Sequence, residues 1–299
     1  MGEYEPMDQL SLDFWGARVD VTCSPADVED LRFFYGSYIT AGSGDPDISV
    51  TLECTTWPSR GFFTSSLARD MLEKRITVTD HRESRRSGER LYRDWSDVVS
   101  PFPPFASAAL ASRTATFPGA LVRAADGRTT ALLGDHYVGK TSTAIAWCRD
   151  HGSSLISDSL IVLDVSAGVA LRFETPLGFR RDGLKEIIPR LEHVDHRLTV
   201  SADTGLVALV RPQDVLGTSN SSGGNIDHVV VLSETQEATA TATWTRTRCP
   251  NLGWFTEASI DAVTSLLPDS ALRVNVPKRS SPTERAAAII DAIRQEERA

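Results

Sequence analysis

The chain opens on alternation: Leu12, Phe14, Val19 and Val21 are separated by polar partners, and Gly16 interrupts the run, the pattern of a half-buried strand or hairpin over residues 10–22. Ser24-Pro25-Ala26-Asp27 then reads as a helix start, with serine as N-cap, proline at the first helical position and Asp27 placed to close a capping box. Leu31, Phe34, Tyr35 and Tyr38 recur at helical spacing and form the predicted buried stripe. The turn Gly42-Ser43-Gly44-Asp45-Pro46 ends that helix. Strict alternation over 47–54 predicts a strand, and 76–79 and 91–95 predict two more. The charged stretch from Arg82 to Arg90 between the last two is the expected hairpin tip, its arginines solvated.

Ser100-Pro101-Phe102-Pro103-Pro104-Phe105 breaks the periodicity, and the small residues of 106–112 predict a helix. A boundary near 105 divides the chain into an N-terminal α+β domain, 1–105, and a larger α/β domain, 106–299. In the larger part, a strand over 120–123 turns at Asp126-Gly127 into a strand over 130–133, a hairpin and not a parallel crossover. A helix over 142–148, strands over 154–158, 160–164 and 169–174, a helix over 181–191 and strands over 205–211, 226–232 and 238–245 follow. The run Gly217 to Asn225 has the composition of a mobile loop, either a lid or a plain connector. Ser281-Pro282-Thr283-Glu284 is a second capping box, opening a helix whose apolar side runs from Ala286 to Ile293.

A length of 299 residues exceeds what one small core absorbs, which fits one large domain with a smaller appendage. The formal net charge of -9 and a pI near 5.2 argue against a nucleic-acid or anionic-membrane surface, both of which need a basic field. No apolar run approaches the roughly 20 residues that span a bilayer, and the first residues lack the basic-then-apolar order of a signal peptide. A cytoplasmic protein with no membrane partner is expected. Cys23, Cys54, Cys148 and Cys249 form no C-x-x-C pair, so they are read as core filler and not as a zinc or redox site.

Chemistry concentrates in Gly134-Asp135-His136-Tyr137-Val138-Gly139-Lys140-Thr141, between the apolar run 130–133 and the helical run that Ser142 opens. Glycines let successive N–H groups turn inward, and the helix adds its positive N-terminal end, so strand, loop and helix together cradle phosphates. The nucleotide-binding set is therefore Gly134, Asp135, His136, Tyr137, Val138, Gly139, Lys140, Thr141 and Ser142. Lys140 is expected on the terminal phosphates and Thr141 on Mg²⁺, while His136 points outward without a catalytic role. Phosphoryl transfer also needs an acid for the metal or the attacking proton. Asp158 is favoured, on a strand expected beside the loop's own strand; Asp164 is expected to be a solvent-facing turn aspartate. No N-K-x-D segment appears where a GTPase switch needs one.

Together with Pro118-Gly119-Ala120-Leu121-Val122, the run from His151 to Asp164, and Thr175-Pro176-Leu177-Gly178-Phe179-Arg180, this loop resembles the catalytic domain of HPr serine kinase/phosphorylase and its HPr-kinase-like relatives. The resemblance covers roughly residues 115–185. It implies a phosphoenolpyruvate-carboxykinase-like P-loop domain with a mixed sheet, ATP and Mg²⁺ as cofactors, and transfer of the γ-phosphoryl group to a hydroxyl of a peptide, protein or small molecule. Carried over by position, Gly134, Gly139 and Lys140 bind phosphates, Thr141 helps hold the metal, and Asp158 lies at the acidic position used for metal or base work. Where the family has a second adjacent acid this chain has Ser159, and Glu174 is either its substitute or a surface strand end. Pro118 stands where HPr kinases have histidine, which argues against the reverse, phosphorolytic reaction. Arg180, with Arg181 and Lys185, either neutralises the transferring group or belongs to a solvated face, and Arg246 and Arg248 offer the same two readings. The N-terminal domain is the expected place for acceptor recognition, and the resemblance also implies a homo-oligomer. A nucleotide-binding regulator that has lost its chemistry is the alternative, motivated by Ser159.

Overall fold

The structure is a computed structural model and describes residues 7–42, 44–54, 74–81, 86–92, 113–201, 205–217, 222–248, 252 and 258–296. The first alternation folds as a hairpin of β1 (Asp8–Phe14) and β2 (Ala17–Cys23), turned by Trp15 and Gly16, both at positive φ, as a two-residue turn with the twist of the strands requires. The helix α1 (Pro25–Tyr35) starts as predicted, with the Asp27 N–H donating to Ser24 Oγ at 3.3 Å and Ser24 Oγ donating to the Asp27 carboxylate at 2.9 Å. β3 (Ile48–Cys54) pairs parallel to β2, and β4 (Lys74–Asp80) and β5 (Arg86–Tyr92) extend the same sheet antiparallel. Arg86–Arg90 are therefore strand and not hairpin tip: period-2 pairing with β4 continues through their charges. The rest of that tip, residues 93–95, the connector and the helix expected over 100–112 lie outside the described residues.

Farther on come β6 (Thr114–Pro118), β7 (Ala120–Arg123), β8 (Thr129–Gly134), α2 (Lys140–His151), β9 (Ser154–Ser157), β10 (Leu160–Asp164) and β11 (Val169–Leu171). After these the chain forms β12 (Leu177–Arg180), α3 (Arg181–Ile187), β13 (His196–Ser201), β14 (Gly205–Val210) and α4 (Pro212–Leu216). Pro189 helps convert the predicted 181–191 helix into a 3-10 turn over Ile188–His193. The last elements are β15 (His228–Thr235), β16 (Thr241–Arg246), α5 (Ile260–Thr264), β17 (Ser270–Pro277) and α6 (Pro282–Glu296).

These elements make a mixed α/β protein with several sheets in two compact units, Met1–Leu110 with Thr175–Asp214, and Ala111–Glu174 with Val215–Ala299. In the first unit, Phe14 stacks on Tyr38 at 4.7 Å and meets the edge of Tyr35 at 5.5 Å, fixing α1 on the hairpin. Arg197 of β13 fastens the later segment to the same helix. Its Nε donates to buried Asp30 at 3.2 Å and its guanidinium lies 4.7 Å from the Phe33 ring centroid, with Arg211 at 5.8 Å from that ring. Each such cation–ring contact contributes on the order of 1 kcal/mol.

The second unit is built on a six-stranded sheet, β16-β17-β15-β8-β7-β9, in which β8, β15 and β17 are parallel. Its Leu121, Ala131, Leu133, Ile156 and Val229 share a core with Phe117, Ile161 and Leu163 of the three-stranded sheet β11-β10-β6. Alternate positions such as Leu132, Val230 and Leu272 point to the opposite face, where α2 and α6 pack on the sheet and on each other. The second capping box forms as predicted, the Ser281 N–H donating to Glu284 Oε2 at 2.7 Å and the Glu284 N–H to Ser281 Oγ at 3.2 Å. Cys23 and Cys148 are buried, and burial pushes the Cys148 thiol up to about 12.

The glycine-rich loop departs from its composition. Gly224 exchanges two backbone hydrogen bonds of 2.8 Å with Ala170, so the described end of the loop is paired to β11. Gly223 is glycine because a Cβ there would overlap the Ala170 carbonyl oxygen. Gly223→Ala therefore forces main chain apart, and a loss of about 1–3 kcal/mol is expected, lowering Tm by roughly 3–10 °C in a thermal melt. An unchanged Tm would show that the loop end is not held against β11.

Candidate functional site

The loop between β8 and α2 turns on three residues in the left-handed region, Gly134 (φ 137°), Tyr137 (φ 65°) and Gly139 (φ 91°). Gly134 is required a second time by packing, since a Cβ there would overlap the Leu232 carbonyl oxygen of neighbouring β15. Gly139 caps α2, its carbonyl accepting the Thr143 N–H at 2.9 Å and Ser142 Oγ at 3.0 Å. Val138 is buried beside Gly134, whereas Asp135, His136 and Tyr137 are exposed. A tyrosine held at positive φ costs on the order of 1 kcal/mol, strain of the kind that collects at functional loops.

Lys140 Nζ donates to the carbonyls of Gly134 and Asp135 at 2.8 and 2.7 Å, which brings its ammonium back across the loop. Burial lowers its pKa, opposed by Asp158 and Asp135. Thr141, in the first turn of α2, donates its hydroxyl to both carboxylate oxygens of Asp158 at 2.9 Å, one proton shared between two acceptors. Ser159 Oγ donates to Asp158 Oδ2 at 3.2 Å from a residue at φ 67°. Asp158 is 4% exposed, and burial raises its pKa against the hydrogen bonds from Thr141 and Ser159 and the charge of Lys140. The structure thus brings Lys140, Thr141 and Asp158 together.

It does so by a strand order that differs from the expected one. β9, which ends at Ser157 and delivers Asp158, does not lie beside β8; β7 runs antiparallel between them. Two antiparallel steps leave β8 and β9 pointing the same way, so the loop and Asp158 leave the sheet at the same edge. Gly119 supports this edge from behind. Its N–H donates to the Ser159 carbonyl at 3.3 Å, and a Cβ on it would stand 2.7 Å from Ile161 Cδ1 and 3.0 Å from the Leu132 carbonyl oxygen.

Phe173 bridges Ser157 in parallel register, its N–H donating to the Ile156 carbonyl at 3.2 Å. Glu174 therefore follows Phe173 as Asp158 follows Ser157, and the two acids occupy matching positions on neighbouring segments. The Glu174 carboxylate pairs with Arg172. Asp164 is a turn aspartate, but a buried one, which corrects the solvent-facing expectation: Oδ1 accepts from Ser166 and Ala167, and Oδ2 from Arg113 Nε at 3.0 Å. Burial acts to raise its pKa, and these hydrogen bonds outweigh it, leaving the pKa lowered.

Arg180 ends β12 in the first unit, with a buried Nε that meets no acceptor among the described residues. Lys185 pairs with Asp182 at 2.8 Å on an exposed face, and Arg246 and Arg248 are exposed in the second unit. One neighbour of the loop carried no signal in the sequence. Arg285 of α6 donates to Ser142 Oγ and Thr143 Oγ1, both at 3.1 Å, from more than 140 residues away along the chain. Among the described residues no group of three or more His, Cys, Asp or Glu side chains forms a metal cage. Thr141 and Asp158 instead offer the hard oxygen donors that Mg²⁺ takes when substrate phosphates supply the remaining ligands.

No protein-family model matches the chain, and no curated protein matches it. Among solved structures it is similar to the Hpr(Ser) kinase/phosphatase from Coxiella burnetii, at 10% sequence identity and a TM-score of 0.36, over 61% of this chain and 98% of that one.

Proposed function

We propose that this chain is an ATP-dependent phosphotransferase of the HPr-kinase-like type, moving the γ-phosphoryl group to a hydroxyl of a peptide, protein or small-molecule acceptor. The observation that carries the reading is the Thr141–Asp158 hydrogen bond at the mouth of the Gly134–Gly139 loop. It sets a buried carboxylate against the helix end that would hold phosphates. In this reading Thr141 and Asp158, with Glu174 as the further acid, would hold Mg²⁺ beside the nucleotide, and the cation would supply positive charge to the phosphates. In the same reading the loop N–H groups and Lys140 orient the triphosphate. Asp158 takes the acceptor's hydroxyl proton as the new P–O bond forms and the bond from the γ-phosphorus to the β–γ bridging oxygen breaks, releasing ADP. The second reading, a nucleotide-binding regulator without turnover, draws on Ser159, which places a hydroxyl where a second acid would stand.

Incubation with Mg-ATP and a panel of peptides and metabolites separates the two, with ADP and product read by mass spectrometry. A kinase forms product and loses it in Lys140→Ala and Asp158→Asn, by at least about a hundredfold; a regulator binds nucleotide and forms none. Glu174→Gln is expected to raise the Mg²⁺ concentration needed for half-maximal rate. An unaltered Mg²⁺ requirement removes Glu174 from the metal.

The same carboxylate couples activity to stability. Because Asp158 has a folded pKa raised above its unfolded value, the fold binds that proton more tightly. Its ionisation therefore subtracts stability as pH rises from the unfolded value through the folded one. Asp158→Asn is expected to abolish transfer and yet to melt above wild type once the wild-type carboxyl is ionised, an advantage that is lost as pH falls below the ordinary carboxylate range. A variant melting below wild type at pH 7 contradicts the assignment.

A further inference from the structure

Outside the residues already assigned, one charged side chain meets the loop from a distant element. α6 leaves its capping box with Thr283 Oγ1 donating to Asp150 Oδ2 at 2.8 Å and the Arg285 N–H donating to the Ser281 carbonyl at 3.1 Å, so its first turn is fixed on α2. From that turn Arg285 reaches the opposite end of α2. Its three guanidinium nitrogens each make a different bond: Nε to Thr143 Oγ1 at 3.1 Å, Nη2 to Ser142 Oγ at 3.1 Å and Nη1 to the Ser280 carbonyl at 2.9 Å. The approach is close enough that a Cβ on Gly139 would lie 2.8 Å from Nη2 and 3.0 Å from Cζ.

We infer that Arg285 is a positioning residue for the nucleotide site, setting the first turn of α2 and the Gly139 end of the loop in the geometry that receives phosphates. The inference rests on the phosphotransfer reading above. Gly139 is thereby constrained twice, by its positive φ and by the guanidinium that occupies its side-chain space. Ser142 is constrained twice as well: its hydroxyl donates to the Gly139 carbonyl while it accepts from Arg285, linking α6 to the loop through one oxygen. Three directed donors hold a plane that a single ammonium cannot hold, which is why arginine is required in place of lysine. The guanidinium is partly buried, and Glu234 and Glu284 balance its charge against the desolvation that lowers its pKa. A second consequence is electrostatic, because a fixed positive charge beside the first turn of α2 adds to the helix end that attracts anions.

Affinity for Mg-ATP, measured by titration calorimetry beside a thermal melt, separates positioning from simple fastening of α6. Arg285→Ala is expected to weaken Mg-ATP binding about tenfold, and Arg285→Lys several-fold, with kcat at saturation within about twofold of wild type. Thr283→Ala cuts the other tie between the two helices and serves as the control: it lowers Tm but leaves affinity within about twofold. If Arg285→Ala binds as wild type does, or if Thr283→Ala weakens binding equally, Arg285 is only a fastening and the inference falls. Should Arg285→Ala fail to fold, Arg285→Lys decides, a wild-type affinity overturning the role. A wild-type protein that folds and shows no affinity for Mg-ATP overturns the phosphotransfer reading itself, an outcome distinct from equal binding by wild type and variant.

Discussion

Everything proposed for this chain depends on two strands that are not neighbours pointing the same way. Adjacent strands lie about 4.8 Å apart, so β8 and β9, separated by β7, are roughly 10 Å from each other. A hydroxyl on the chain leaving β8 meets a carboxylate on the chain leaving β9 only because α2 begins directly after the loop and its first turn overhangs the sheet edge. The 12 residues of α2, about 18 Å of helix, then carry the chain back to start β9 in the parallel sense. The hairpin of β7 and β8 is what inserts the intervening strand. The pairing of Thr141 with Asp158 is thus a product of topology, and the side chains only complete it.

What was legible in the sequence was what is local. Both capping boxes formed as the residues dictate, because Ser24 with Asp27 and Ser281 with Glu284 satisfy each other within one turn. The loop glycines could be read because positive φ is a property of the residue itself. The hairpin of β7 and β8 was predicted, but that β9 would join the far edge of β7 could not be foreseen, since strand order is set by contacts between remote segments. Asp164 failed for the same reason: it looks like any turn aspartate until Arg113, 51 residues upstream, covers it. β17 went unread because it lies between two other strands and carries Ala271 and Leu272 side by side, which blurs the alternation. Gly223 and Gly224 misled in the opposite direction. Their composition signals mobility, yet each is small because another group comes close, the Ala170 backbone in one case and the Arg123 guanidinium in the other.

The charges at the site are held against the preference of the fold. Burial works on Lys140 and Asp158 together, lowering one pKa and raising the other, so each is drawn toward its neutral form. Their mutual attraction offsets this only in part. Structural ion pairs elsewhere in the chain behave differently: Asp126 beside Arg128 and Asp164 beside Arg113 have lowered values and are content to be charged. In the proposed reading, a buried acid and base that both lean toward neutrality are matched to outside charges, and a triphosphate with its cation carries both signs.

Ser159 gives the last step. Its left-handed backbone turns the chain sharply after Asp158, and its carbonyl is fixed by the Gly119 N–H. An acid at this position would sit beside an already buried carboxylate, and two like charges so close push one pKa up further. Glu174, the second acid in the proposed reading, avoids that conflict, because the parallel bridge of Ser157 with Phe173 sets Glu174 at the matching edge position while Arg172 pairs with its carboxylate. In the proposed reading the two acids come from adjacent segments and not from adjacent residues, and the register of the sheet, not the spacing along the chain, brings them to one edge.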